Sequence, residues 1–159
     1  MSIEQVVINA SPLITLTKSG YADLLPQLFR EIVVPRPVLS EITAGDDEAA
    51  RLVENARWAK SVAIEIAPEV ASWNLGEGES SVISFALANS RFRASIDDRA
   101  ARRCVEALSI QTIGTVGILL LAKRRHLIDS ARTAFARVRD AGLYLSDDLV
   151  DRLLSEVNE

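Results

Sequence analysis

The chain alternates short, continuous apolar runs with stretches whose apolar residues recur every three or four positions. Val6-Val7-Ile8, Ile32-Val33-Val34 and Ala94-Ser95-Ile96 are runs of the first kind and read as buried strands. Val62 to Ile66 alternates as a strand does, and Gln111 to Ile113 reads as one more. Helical patterns lie between them. Ser11 is placed to cap a helix, with Pro12 at its first position and Gly20 as its stop. A short helix over Ala22 to Phe29 follows. Pro35 and Pro37 open another that runs to Ala44 and closes at Gly45, and Asp46 caps one reaching about Ala59. Glu77 to Asn89 gathers Val82, Ile83, Ala86 and Leu87 on one face, and the next helix gathers Ala101, Cys104, Val105 and Leu108. Gly114 begins a helix to about Arg125. Ser130 to Ala141 and Ser146 to Val157 are the last two.

Apolar strands alternating with helices describe a parallel sheet covered on both faces, so the expected class is α/β, a three-layer α/β/α arrangement with a central parallel sheet. The length of 159 residues suits a single domain over 1–159, with the C-terminal helices of 130–157 packing on it. Leu143, Leu145, Leu149, Leu153 and Leu154 supply the apolar contacts for that packing. In such sheets the ligand crevice lies off the carboxyl ends of the strands. The residues that follow each strand are therefore the ones to watch.

Asn9 follows the first strand, and Asp97-Asp98 follow the fourth. They enter one crevice if those strands are neighbours. Either aspartate would equally suit a helix N-cap. Glu79 precedes Val82 and Ile83 by three and four residues and so shares their inward face, while Glu41 sits beside Ile42 at the edge of an apolar stripe. A carboxylate facing inward is costly unless paired or bound to a metal. The competing readings are a first-turn acid favouring the helix dipole for Glu79 and a partly exposed edge position for Glu41. Carboxylates gathered without a lysine or histidine make a site for a hard cation, Mg²⁺ or Mn²⁺, which takes oxygen ligands and keeps waters. Such an ion activates water and neutralises phosphate charge. Ser11 and Thr115, near strand ends, can hydrogen-bond a water or a phosphate, or serve as helix caps.

Net charge is -4, which argues against a chain that coats nucleic acid over its whole surface. Two local basic groups remain: Arg91, Arg93, Arg99, Arg102 and Arg103, and Lys123, Arg124 and Arg125. They read either as contacts to nucleic acid or as solvated helix faces. Cys104 is the one cysteine and shares an apolar face, so a buried thiol in a reducing cytoplasm is expected. Met1-Ser2-Ile3-Glu4 carries no basic segment of a secretory signal, and the apolar run from Val116 to Ala122 is too short to span a bilayer, so no membrane association is expected. A P-loop, a dinucleotide fingerprint and a nucleophile elbow are all missing. His126, the one histidine, reads as part of a helix C-terminus, and Trp58 and Trp73 are too far apart to form a stacking platform.

Five blocks, in order, resemble PIN-domain proteins. Val6 through Ile14 resembles the opening of a prokaryotic subgroup with an S-P-L-I continuation. Ile32 to Pro35 with Val38 and Glu41-Ile42 is similar to its second block, and Gly78-Glu79 with Ile83 and Ala86 to its third. Ile96 to Arg102 is similar to its fourth. Gly114-Thr115 with Leu119, Ala122-Lys123 and Leu127-Ile128 is similar to its fifth. The likeness spans about residues 4 to 154. It implies a nuclease fold with a carboxylate pocket for Mg²⁺ or Mn²⁺, and a metal-dependent endoribonuclease of the kind that serves as a VapC-type toxin. By position it assigns Asn9, Glu41, Glu79, Asp97 and Asp98 to catalysis, with Asn9, Glu79, Asp97 and Asp98 on the metal. Ser11, Arg99, Arg102, Thr115 and Lys123 would face an RNA substrate. It also implies an antitoxin partner, able to reach across the acidic pocket with a basic side chain, and a homodimer. Asn9 departs from the family's aspartate: an amide oxygen can coordinate a hard cation but brings no charge. A second reading follows from that departure, a catalytically weak PIN fold serving as an RNA-binding or protein-interaction module.

Overall fold

The computed structural model describes residues 5–159, so the expectation for Met1 to Glu4 lies outside them. The order of elements is β1 (Gln5–Ile8), α1 (Ala10–Lys18), α2 (Leu24–Leu28), β2 (Glu31–Pro35), α3 (Arg36–Ala44), α4 (Glu48–Asn55), β3 (Ala59–Val62), α5 (Pro68–Ala71), α6 (Glu77–Ala88), β4 (Arg93–Ser95), α7 (Arg99–Ala107), α8 (Thr115–Arg124), α9 (Ala131–Asp140) and α10 (Asp147–Glu156). The four strands form one sheet in the order β3-β2-β1-β4, and every pair is parallel. Helices flank this central sheet on both faces, giving the three-layer α/β/α fold that the apolar runs predict.

β1 sits in the middle because it is apolar on both faces. Val6, Val7 and Ile8 are all fully buried, each contributing about 1.5–3 kcal/mol of burial. β2 repeats the pattern with Ile32, Val33 and Val34. The register places Val7 opposite Val33 on one side and Ala94 on the other, with Ile8 opposite Ser95. The strands carrying Asn9 and Asp97 at their ends are thus neighbours. Leu13, Leu16, Val38, Ile42, Val82, Ile83, Ile118 and Leu119 close the core from the helical layers.

Three details differ from the pattern-based reading. The alternating stretch from Val62 to Ile66 is mostly loop, and the strand lies earlier, with Ala59 to Val62 paired to Ile32 through Pro35. Pairing stops where β2 ends at Pro35, which has no N–H to offer. Gln111 to Ile113 is reduced to a single parallel bridge, Thr112 to Ala94, held by Ala94 N–H to Gln111 O at 2.9 Å and Ile113 N–H to Ala94 O at 3.1 Å. Asp47 rather than Asp46 caps α4, accepting from Ala50 N–H at 3.1 Å, while Asp46 takes a positive φ in the preceding turn.

The end of the chain follows its capping residues. Ser130 accepts from Thr133 N–H and Ser146 from Leu149 N–H, opening α9 and α10. α10 packs on α9, with Leu154 and Val150 buried, while Leu149 and Leu153 stay half-buried. His126 lies just past α8 with φ of 59°, and its N–H donates to Lys123 O at 3.0 Å, the backbone closure expected of a helix end. Cys104 is buried, and burial pushes its thiol up. Among the described residues no helix is long and apolar enough to cross a membrane.

Candidate functional site

β1 and β4 run side by side and deliver Asn9 and Asp97 to the same edge of the sheet, where Asn9 N–H donates to Ser95 O at 3.1 Å. Asn9 stands at the N-cap position of α1 in an extended conformation, and its side chain makes no cap hydrogen bond. α1 therefore starts earlier than expected. Ser11 is the second helical residue, exposed, and is not the cap. Pro12 is still within the first turn, where its missing N–H is not needed.

The Asn9 side chain is the most informative group here. It is buried, at 5% exposure. Its Oδ1 has no hydrogen-bond partner among the described residues, a state shared only with Ser95 Oγ. An unpaired buried acceptor costs about 1–3 kcal/mol. Around the point where a Cβ on Gly78 would stand lie Asn9 Oδ1 at 3.2 Å, Val38 at 3.6 Å and Glu41 Oε2 at 3.7 Å. Three elements meet there: the end of β1, α3 carrying Glu41, and the first turn of α6 carrying Gly78. Because residue 78 has no side chain, the Asn9 and Glu41 oxygens both reach the space that a Cβ there would take. Glu41 is exposed to solvent.

Asp97 is held differently. Thr115, fully buried at the start of α8, donates its N–H to Asp97 Oδ1 at 3.0 Å and its hydroxyl to Oδ2 at 2.6 Å. Arg102 stands beside this pair, with its Nε donating to Ile96 O at 3.2 Å. A Cβ on Gly114 would collide with the Arg102 guanidinium and meet Asp97 Oδ1 at 2.8 Å, so any larger residue there would displace one of these side chains. Asp98 turns the other way and caps α7, its Oδ2 accepting from Ala101 N–H at 3.0 Å.

Glu79 is half-buried in the first turn of α6. Its carboxylate folds back over the helix start, with Oε2 2.5 Å from the position of a Cβ on Gly76. Arg99 is exposed in the first turn of α7. Lys123 lies eight residues beyond Thr115, about 12 Å along α8 at 1.5 Å per residue. Its Nζ contacts Asp129 O at 2.5 Å and the Glu159 carboxylate at 3.4 Å, at the far end of that helix. The structure thus brings Asn9 and Glu41 together, sets Asp97 with Thr115 and Arg102 at the end of the adjoining strand, holds Asp98 and Lys123 in other contacts, and folds Glu79 back over the start of α6.

The donor set suits a hard cation that keeps much of its water. Among the described residues no three of His, Cys, Asp and Glu gather tightly enough to hold an ion. Mg²⁺ does not require three: it commonly takes one or two protein oxygens and completes its octahedron with water and substrate phosphate. Asn9 Oδ1 and Glu41 Oε2 fit that role, and Asp97, with lone pairs beyond the two that Thr115 uses, is the nearest reserve by strand register. Gly78 is the contributor that residue types alone could not reveal, because its role is the side chain it lacks. Its place one residue before Glu79 was the available signal.

No curated protein and no solved structure matches the chain. A family model described as a PIN domain matches residues 5–159. That match covers the whole described chain and agrees with the parallel four-stranded sheet and its polar carboxyl edge: the chain belongs to the PIN-domain family and has that family's nuclease fold.

Proposed function

We propose that this chain is a metal-dependent endoribonuclease, the toxin of a toxin–antitoxin pair resembling the VapC type. The observation that carries the reading is the buried, unpartnered Asn9 Oδ1 facing Glu41 across Gly78 at the carboxyl edge of the sheet. A buried amide oxygen that no protein group satisfies is one that a bound ion would satisfy, which supports the reading.

Asn9 and Glu41 would hold Mg²⁺ or Mn²⁺. When bound, the ion supplies charge neutralisation at the scissile phosphate and an activated water. Glu41 contributes the negative charge, and its exposure lets substrate reach it. Asn9 fixes position without charge. Asp97, clamped by Thr115, keeps its carboxylate at the end of β4, and Arg102 beside it offers a guanidinium to backbone phosphate. Arg99 and Ser11, exposed at neighbouring helix starts, extend the same polar edge. Such contacts position a strand rather than read its sequence. The toxin role adds two expectations: a small antitoxin that places a basic side chain at Glu41, and a homodimer.

The test is cleavage of single-stranded RNA with Mn²⁺. Activity should vanish in chelator and in Glu41→Gln, and fall in Glu79→Gln if that side chain swings inward when RNA is bound. Full activity of Glu41→Gln would reject the site. A second reading has one observation in its favour, the neutral amide at position 9: a PIN fold that binds RNA or protein without cutting. Asn9→Asp separates the two. Activity that arises only in that variant identifies the native chain as a binding module, and activity in both identifies a nuclease.

A further inference from the structure

Beside Asp97 the surface opens into a groove of about 540 Å³ lined mainly by α8, by the segment joining α9 to α10 and by α10, with Arg93 of β4 at its side. Its walls combine apolar, cationic, acidic and aromatic groups. Leu120, Leu121 and Leu149 supply an apolar floor. Arg93, Arg102 and Arg124 stand around it, and Asp97 is the one acidic residue in the lining. Tyr144 stands at the groove with 82% of its surface exposed.

This composition is unusual for a chain of net charge -4. Arginines from both sequence clusters meet in one place. Arg93 has no ion pair among the described residues, and Arg102 spends only its Nε on the Ile96 carbonyl. Arg124 pairs with Glu156 at 3.3 Å, where both side chains are about half exposed, so water weakens that pair. Cationic walls, an apolar floor and an unused aromatic ring match a polyanion that also carries flat apolar rings. Four residues of extended chain separate Arg93 from Asp97, about 13 Å at 3.3 Å per residue. One end of the groove is therefore at the carboxylate edge and the other is well away from it.

We infer that this groove holds the flank of a single-stranded RNA, with Tyr144 stacking on a base and Arg93, Arg102 and Arg124 facing its phosphates. The inference rests on the ribonuclease reading and extends it, because it assigns the substrate a path away from the cut. Stacking on an aromatic side chain is tolerant of sequence, so the groove would contribute affinity and orientation rather than base choice.

The test is equilibrium binding of a fluorescein-labelled 12-nucleotide RNA to the full chain in chelator, read by anisotropy so that no cleavage intervenes. Tyr144→Ala should weaken binding about tenfold, and Tyr144→Phe should retain it. Arg93→Gln should reduce the slope of log affinity against log salt by about 0.7, the loss of one phosphate contact on a single strand. RNA binding that neither Tyr144→Ala nor Arg93→Gln alters would overturn the groove while leaving the ribonuclease reading intact. A native chain that binds no RNA would remove both. A shift from dimer to monomer in Tyr144→Ala, seen by sedimentation with RNA affinity unchanged, would assign the face to a second copy of the chain and reject the inference.

Discussion

Thr115 engages both oxygens of the Asp97 carboxylate, its N–H on Oδ1 at 3.0 Å and its hydroxyl on Oδ2 at 2.6 Å. The two residues are 18 positions apart in sequence and come from β4's end and the start of α8. A carboxylate at a helix N-terminus gains from the dipole as well as from the bonds. The pair ties the last part of the sheet edge to the helix that covers it, and sets the direction of Asp97.

Removing only the hydroxyl is a clean probe of that tie. Thr115→Val keeps the shape and the N–H bond but leaves Oδ2 short of a donor. Because the hydroxyl is buried and its partner is charged, the expected loss is about 1–3 kcal/mol, read as a lower midpoint in urea. Thr115→Ser should recover most of it. A Thr115→Val protein as stable as the native one would mean that water replaces the hydroxyl.

The doubled aspartate divides its labour, and this can be tested at position 98. Asp98→Ala should cost about 0.5–2 kcal/mol by uncapping α7, while Asp98→Asn, which can still accept from Ala101 N–H, should keep stability. Asp98→Asn also removes the charge. If RNA cleavage falls in Asp98→Asn at full stability, Asp98 has a role at the site beyond its cap.

How far residue pattern alone reaches is visible at these same positions. The buried strands β1 and β2 are legible because both faces of each are covered, which leaves an uninterrupted apolar run. β3 is not, because its pairing is decided by where β2 offers partners, and that ends at Pro35. The site edge follows from strand order, which places Asn9 beside Asp97 once β1 and β4 are neighbours. Which aspartate caps and which faces Thr115 depends on a turn of the backbone, and the two residues are chemically identical. The inward reading of Glu79 rests on helical spacing, and its carboxylate instead folds back over Gly76, a choice of rotamer that spacing does not encode. Tyr144 shows no signal among its leucine neighbours, since only the fold sets it beside arginines from distant segments.

Gly78 gives a prediction that separates stability from metal binding. An added methyl would meet Asn9 Oδ1 at 3.2 Å, tighter than an ordinary contact, while Val38 at 3.6 Å and Glu41 at 3.7 Å accommodate it. Asn9 is buried and can yield only slightly. Alanine also favours the helix by up to about 1 kcal/mol relative to glycine. Gly78→Ala should therefore melt within a few degrees of the native chain yet bind Mn²⁺ at least several-fold more weakly in a calorimetric titration. Unchanged Mn²⁺ affinity would place the ion elsewhere.

The Glu159 side chain supplies a pH dependence. Burial tends to raise its carboxyl pKa, but the N–H groups of Ala131 and Arg132, the Ser130 hydroxyl and Lys123 together outweigh burial and hold it below the usual glutamate range. A carboxyl lowered in the folded state contributes stability that is complete above its unfolded pKa of about 4.3 and is lost as pH falls through the folded value. Unfolding curves from pH 7 to pH 3 should show the native chain losing this share below about pH 4.3, with no change from this group between pH 6 and pH 7. Glu159→Gln should be less stable at pH 7 by about 1 kcal/mol, the worth of a charge at a partly wet helix N-terminus. Its deficit should shrink in acid, where the native carboxyl is also neutral. A deficit that stays constant down to pH 3 would show that the contacts of the amide, not the charge, account for the difference.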